Sequence, residues 1–139
     1  MKKLLFTISV FVIVFTVKDQ EHKGVTLTII VENVFNNNGH TLSALHNEKS
    51  FLKSYGLIIN RDKVEKGKLI PIFENVQPWE YAVSVLHDAN GNQQMDFEAN
   101  GMPTENYALS NNPNLMGPPR FEDVKFIVGH EDLALNIRF

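Results

Sequence analysis

Tyr81-Ala82-Val83-Ser84-Val85-Leu86-His87 is the stretch from which the architecture follows most directly. Tyr81, Val83 and Val85 fall on one side of an extended strand, and Ala82, Ser84 and Leu86 on the other. That period of two marks a strand. Upstream, Val25, Leu27, Ile29 and Val31 alternate with Thr26, Thr28, Ile30 and Glu32 in the same way. Asn36-Asn37-Asn38-Gly39 then reads as a turn, because Asn and Gly tolerate positive φ. His40 to His46 reads as the next strand, so the two are expected to pair as a hairpin. Asn47 to Tyr55 is expected to form a short helical turn, capped by Asn47 and ended by Gly56. Leu57-Ile58-Ile59 and Leu69 to Phe73 are short apolar runs, and Pro71 places the second at an edge or a strand end. Downstream, Val124, Phe126 and Val128 alternate in one strand, and Leu133, Leu135, Ile137 and Phe139 in the last, with Gly129-His130-Glu131-Asp132 turning between them. About seven short strands and no long helix predict an all-β protein, an antiparallel β-sandwich.

Composition sets the other bounds. The 139 residues suit one domain, and 43% hydrophobic with 21% charged is an ordinary globular mixture. A net charge of −3 gives no electrostatic footprint for nucleic acid. There is no cysteine, so disulfides, thiolate metal sites, cysteine nucleophiles and lipoprotein acylation are all excluded. Met1-Lys2-Lys3 followed by fourteen uncharged residues, Leu4 to Val17, predicts a signal peptide over residues 1–20. The run falls short of the roughly 20 apolar residues of a membrane-spanning helix. No Ala-x-Ala-like pair precedes Lys18, which leaves an uncleaved anchor as the alternative and the only route to a membrane. The sandwich domain is expected over 24–139, and its location is expected to be periplasmic or secreted.

Between the Tyr81 strand and residue 120 the sequence is polar and rich in Asn, Pro and Gly, a length of loop that is uncommon without a function. Its first part carries side-chain oxygens at Asp88, Asn90, Asn92, Asp96 and Glu98. Calcium takes six to eight oxygens, which alternate residues of a curved loop can supply. Asp88, Asn90, Asn92, the Gln94 carbonyl, Asp96 and Glu98 are therefore the candidate metal ligands. Against an EF-hand, Gln93 stands where that loop has its glycine, Ala99 stands at the twelfth position, and no helices flank it. The plainer reading is a turn at Asn90-Gly91 whose Asp and Asn side groups bond local amides.

Several of these residues also carry a resemblance. Tyr81-Ala82-Val83, His87-Asp88-x-Asn90-Gly91-Asn92 and Asp96, then Gly101-Met102-Pro103-x-Glu105-x-Tyr107, Ser110-Asn111-Asn112 and Gly117-Pro118-Pro119-x-Phe121, resemble the bacterial family known as domain of unknown function 2141. The resemblance spans about residues 24–139. It implies an exported protein with a transthyretin-like or immunoglobulin-like sandwich and one long ordered loop, and it implies no particular activity. The family usually has Pro-Gly before the Tyr-Ala-Val strand, where this sequence has Pro78-Trp79-Glu80.

No catalytic residue is assigned. Ser110 lacks a Gly-x-Ser-x-Gly elbow, and neighbouring His87 and Asp88 point to opposite faces of a strand. His87 is expected to pack and anchor the loop. Trp79, Glu105, Tyr107, Asn111 and Asn112 are candidate ligand-binding residues for a small polar molecule or glycan, weighed against a role in folding the loop onto itself. The leading expectation is a non-enzymatic exported module with a calcium-binding or self-ordered loop. A small-ligand or carbohydrate-binding domain comes second and an enzyme of unrecognised type third, with a cell-envelope protein as another candidate partner.

Overall fold

A computed structural model describes residues 23–65 and 67–139, so the expected signal segment lies outside the described residues. The strands are β1 (Val25–Val34), β2 (His40–His46), β3 (Ile58–Lys63), β4 (Gly67–Leu69), β5 (Ile72–Val76), β6 (Trp79–Asp88), β7 (Tyr107–Leu109), β8 (Phe126–Val128) and β9 (Leu133–Arg138). One helical turn, α1 (Phe121–Val124), precedes β8.

The first sheet is built on β1. Antiparallel β5 pairs with its first half and antiparallel β4 with its second, while β9 runs parallel along Leu27 to Glu32 on the opposite edge. Pro71 separates β4 from β5 because it has no N–H for the ladder, yet its carbonyl still accepts from the Ile29 amide at 2.9 Å. The second sheet runs β3-β2-β6, all antiparallel, with β7 on the far edge of β6. Further along β6, Trp79 to Tyr81 pair with β8. Between them Ser110 fills the gap at Val83, accepting its amide through Oγ at 3.0 Å and donating its own amide to the Val83 carbonyl at 2.9 Å. Among the described residues the nine strands thus make seven rows, three facing four, in an all-β sandwich with one parallel pair.

Leu27, Ile29 and Val31 from one sheet meet Leu45, Val83 and Val85 from the other in the core, with Phe73 and Ile137 fully buried beside them. Each such residue contributes roughly 1.5–3 kcal/mol relative to exposure, enough to hold a domain without cross-links. A second cluster of Phe51, Ala82, Leu109, Phe121 and Val124 covers the outer face of the β6 sheet. Both faces of β6 are therefore packed at its middle. Asn47 does cap the expected turn, its Oδ1 accepting the amides of Lys49 and Ser50. Gly56 ends that turn with φ 108.

One expectation about neighbours is corrected. β1 and β2 lie in different sheets, so residues 35–39 pass across the sandwich and make no hairpin. The expected turn over residues 129–132 carries the chain from β8 in the second sheet to β9, which joins β1 in the first. Val124 belongs to a helical turn rather than to a strand, because Phe121 and Val124 at spacing three bury together in the outer cluster. The expected long loop is also interrupted by β7, which holds it against β6.

Candidate functional site

Asp88 ends β6 opposite His40 and is fully buried. Its carboxylate organises the turn that follows: Oδ1 accepts the Gly91 amide at 2.7 Å and Oδ2 the Gln93 amide at 2.9 Å. Gln93 adopts φ 63, a left-handed conformation uncommon for a residue with a Cβ. Counted from Asp88 it is the sixth position, where an EF-hand loop makes its sharp turn with glycine. The turn is therefore present although its usual residue is not.

Beyond it, the Asn side groups act in series. Asn90 Oδ1 accepts the Asn92 amide at 3.0 Å, and Asn92 Oδ1 accepts the Gln94 amide at 2.9 Å. Their Nδ2 groups converge on Asp96: Asn90 donates to Oδ2 at 2.6 Å, and Asn92 donates to both oxygens at 3.0 Å. Asp88, Asn90, Asn92 and Asp96 are thus drawn into one small loop, as the spacing predicts.

Glu98 is not. It belongs to a second turn, where its amide donates to the Met102 carbonyl, its carbonyl accepts the Gly101 amide, and its carboxylate accepts from Asn100. Gln94 stays with the first turn through its amide.

The root of the loop is anchored on both sides. Glu105 Oε1 accepts the Ala89 amide at 2.9 Å, while its Oε2 is buried without a partner. The His87 amide donates to the Asn106 carbonyl, and its ring Nε2–H donates to the Asn38 carbonyl at 2.7 Å. The ring also lies 6.1 Å from that of Phe139, so His87 is the packed anchor its alternation predicts. Gly39 is required at this junction. Its φ is 68, and a Cβ there would lie 2.1 Å from the Asp88 carbonyl oxygen.

The donor set is two carboxylates and two amides, all oxygen-bearing, which suits a hard cation and no soft one. Among the described residues no three His, Asp or Glu residues gather in a metal-binding group. A cation here would therefore take much of its shell from amide, carbonyl and water oxygens. Each Asn Oδ1 retains a second lone pair beside the one its local amide uses.

The candidate ligand-binding residues divide. Trp79 pairs with Val128 and Tyr107 with Leu86, so they sit roughly 23 Å apart along β6 at about 3.3 Å per residue. They form no common stacking platform. Asn111 donates to the Lys125 carbonyl, and Asn112 bonds to β9 on both its amide atoms. Tyr107 and Asn112 nevertheless line one shallow groove of about 340 Å³, with Leu115 and Arg138.

One polar pair has no sequence signal short of the β2–β6 register. His46 Nε2 lies 3.0 Å from Ser84 Oγ, the spacing of a base and a hydroxyl nucleophile. His46 is only 4% exposed, packs edge-on against Phe51, and its Nδ1 is buried without a partner to orient the ring. Burial pushes its pKa down from the ordinary histidine value. The pair is accordingly a packed, neutral hydrogen bond of the outer cluster.

The model of one protein family, described as an uncharacterized protein conserved in bacteria, matches residues 29–136. The protein belongs to this family, DUF2141. The match runs from within β1 to within β9 and so takes in most of the sandwich, the 88–96 turn and the Ser110-Asn111-Asn112 segment. No curated protein and no solved structure matches the sequence. In this DUF2141 member the 88–96 turn, with its series of side-chain hydrogen bonds, lies inside the matched region.

Proposed function

We propose that this DUF2141 protein is an exported, non-enzymatic β-sandwich module whose 88–96 loop is a weak calcium site. The observation that carries the reading is the convergence of Asn90 and Asn92 on the Asp96 carboxylate, in a turn already shaped by Asp88. The two amides offset the charge of Asp96 through their N–H groups. A calcium ion takes over that role when the amides turn their oxygens inward, with Asp88, the Gln94 carbonyl and Asp96 completing the protein's share. Filling the site stiffens the connection between β6 and β7. Outside the cell, where millimolar calcium is available, an affinity of about 10⁻⁴–10⁻³ M is sufficient. Export rests on the basic start and the uncharged run Leu4 to Val17.

Calorimetric titration with calcium tests the site. The expected result is saturable heat in the millimolar range with a raised melting temperature, and loss of both in Asp96→Asn. Asp96→Asn leaves the Asp88 bonds to Gly91 and Gln93 in place, so its fold survives. No heat and no shift at millimolar calcium would remove the ion from the account. Fractionation of cells expressing the full-length protein tests export, and a product confined to the cytoplasm contradicts it.

A second reading, a small polar ligand or glycan module, is favoured by the groove that Tyr107 and Asn112 share with Arg138. Glycan and metabolite arrays separate the two, since that reading predicts binding that Tyr107→Ala weakens and calcium does not govern.

A further inference from the structure

Three Asn-Gly pairs occur in the sequence: 90–91 and 100–101 lie in exposed turns, while 38–39 lies in the crossing between the sheets, with Asn38 exposed and Gly39 half-buried. Asn-Gly is the peptide sequence most prone to spontaneous deamidation, because glycine places no side group in the way of ring closure. The glycine amide nitrogen loses its proton and attacks the asparagine Cγ. A new bond from that nitrogen to Cγ closes a succinimide, the bond from Cγ to Nδ2 breaks, and ammonia leaves. Water then opens the ring at either carbonyl, giving aspartate or isoaspartate.

The structure treats the three pairs differently. At 90–91 the attacking nitrogen is tied up, since the Gly91 amide donates to the buried Asp88 carboxylate at 2.7 Å. A carboxylate at that distance opposes loss of the amide proton. The Asn90 amide is also held at both ends, by the Asn92 backbone and by Asp96. At 100–101 the Gly101 amide donates to the Glu98 carbonyl at 2.9 Å, and the Asn100 amide group is bonded to Met102 and Glu98. At 38–39, among the described residues, neither the Asn38 amide group nor the Gly39 N–H has a hydrogen-bond partner; the Asn38 backbone alone is bonded, to Asn36 and His87.

We propose that Asn38-Gly39 is a self-modification site of this protein, converting to aspartate and isoaspartate while Asn90-Gly91 and Asn100-Gly101 are protected by their turns. Its position gives the change a consequence. Isoaspartate reroutes the backbone through Cβ and Cγ of residue 38, which adds one carbon before the glycine packed under Asp88, and releases the carbonyl that receives His87 from the main chain as a free carboxylate. The anchor of the 88–96 loop is thereby loosened, so the protein ages at the root of its own candidate site.

The test is to age the purified protein in mildly alkaline buffer at physiological temperature and follow all three sites by peptide mapping with isoaspartate detection. A sample held in denaturant supplies the unprotected rates. In the native protein Asn38 is expected to convert at least about tenfold faster than Asn90, because attack at Asn90 first requires breaking a bond to a charged acceptor. Asn100 is also slower than Asn38. In denaturant the three rates come together. Asn38→Gln removes the dominant acidic species. Asp88→Ala frees the Gly91 amide and raises the Asn90 rate towards that of Asn38, leaving Asn100 unchanged. Native rates at Asn90 or Asn100 equal to that at Asn38 overturn the proposal. So does an Asn38 that stays intact in the native protein while all three convert in denaturant, or an Asp88→Ala variant that accelerates all three alike.

Discussion

Asn112 reaches across the open edge of the sandwich to Arg138, its Oδ1 accepting the Arg138 backbone amide at 2.9 Å, and its Nδ2 donates to the Asn136 carbonyl at 3.1 Å. On the opposite edge Asn60 donates to the Ile72 carbonyl at 2.8 Å. Each edge of the sandwich is therefore tied by an asparagine that serves as a surrogate peptide group. Asn112 also holds φ 45, a region asparagine tolerates better than most residues.

Replacing Asn112 separates these two roles. Asn112→Gly keeps the backbone conformation and loses both bonds, and is expected to cost about 1 kcal/mol in urea denaturation, since both bonds are solvent-exposed. Asn112→Ala adds the cost of a left-handed alanine and falls further. Equal stability of all three proteins would show that the edge tie contributes nothing.

Ser110 completes the edge of β6 where neither β7 nor β8 reaches. In Ser110→Ala the Val83 amide is left buried without an acceptor, at a cost of roughly 1–3 kcal/mol. Hydrogen exchange locates the effect: the Val83 amide should lose protection before its neighbours on the β2 side. Unchanged protection at Val83 would mean that another acceptor replaces the hydroxyl.

His46 predicts the acid behaviour of the outer cluster. Its folded pKa is depressed by burial below the ordinary value of 6.5, so the unfolded state binds the extra proton more readily. The stability that neutral His46 supports is present above pH about 6.5 and is lost as pH falls through the window below it. Denaturation midpoints measured across that range should decline for the native sequence. His46→Gln, which retains a polar partner for Ser84 and does not titrate, should flatten the decline. A parallel decline in the variant would assign the acid sensitivity to other groups.

The alternation in Val25 to Val31 and Tyr81 to His87 made the core faces legible, because strand period is a local property. Pairing is not local. One partner of β1 is β9, more than a hundred residues away, and Asn36-Asn37-Asn38-Gly39 looks the same whether it closes a hairpin or crosses between sheets. The first turn of the candidate site was likewise legible from the spacing of Asp88, Asn90, Asn92 and Asp96. The left-handed Gln93 was hidden because its residue type argues against that conformation. The bonds that Glu98 makes within the turn at Asn100-Gly101 are not visible in its spacing from Asp96. Trp79 and Tyr107 share a chemistry but not a place, because ten-residue β6 begins at Trp79 and pairs with Tyr107 through Leu86 near its other end.

A crystal structure grown with millimolar calcium tests the central claim most directly. The account predicts one ion bounded by Asp88, Asn90, Asn92, the Gln94 carbonyl and Asp96, with six or more oxygens at about 2.3–2.6 Å once waters are included. The Nδ2 groups of Asn90 and Asn92 should have turned away from Asp96. A loop that still directs both amides onto Asp96 at that calcium concentration, with no ion between them, would contradict it.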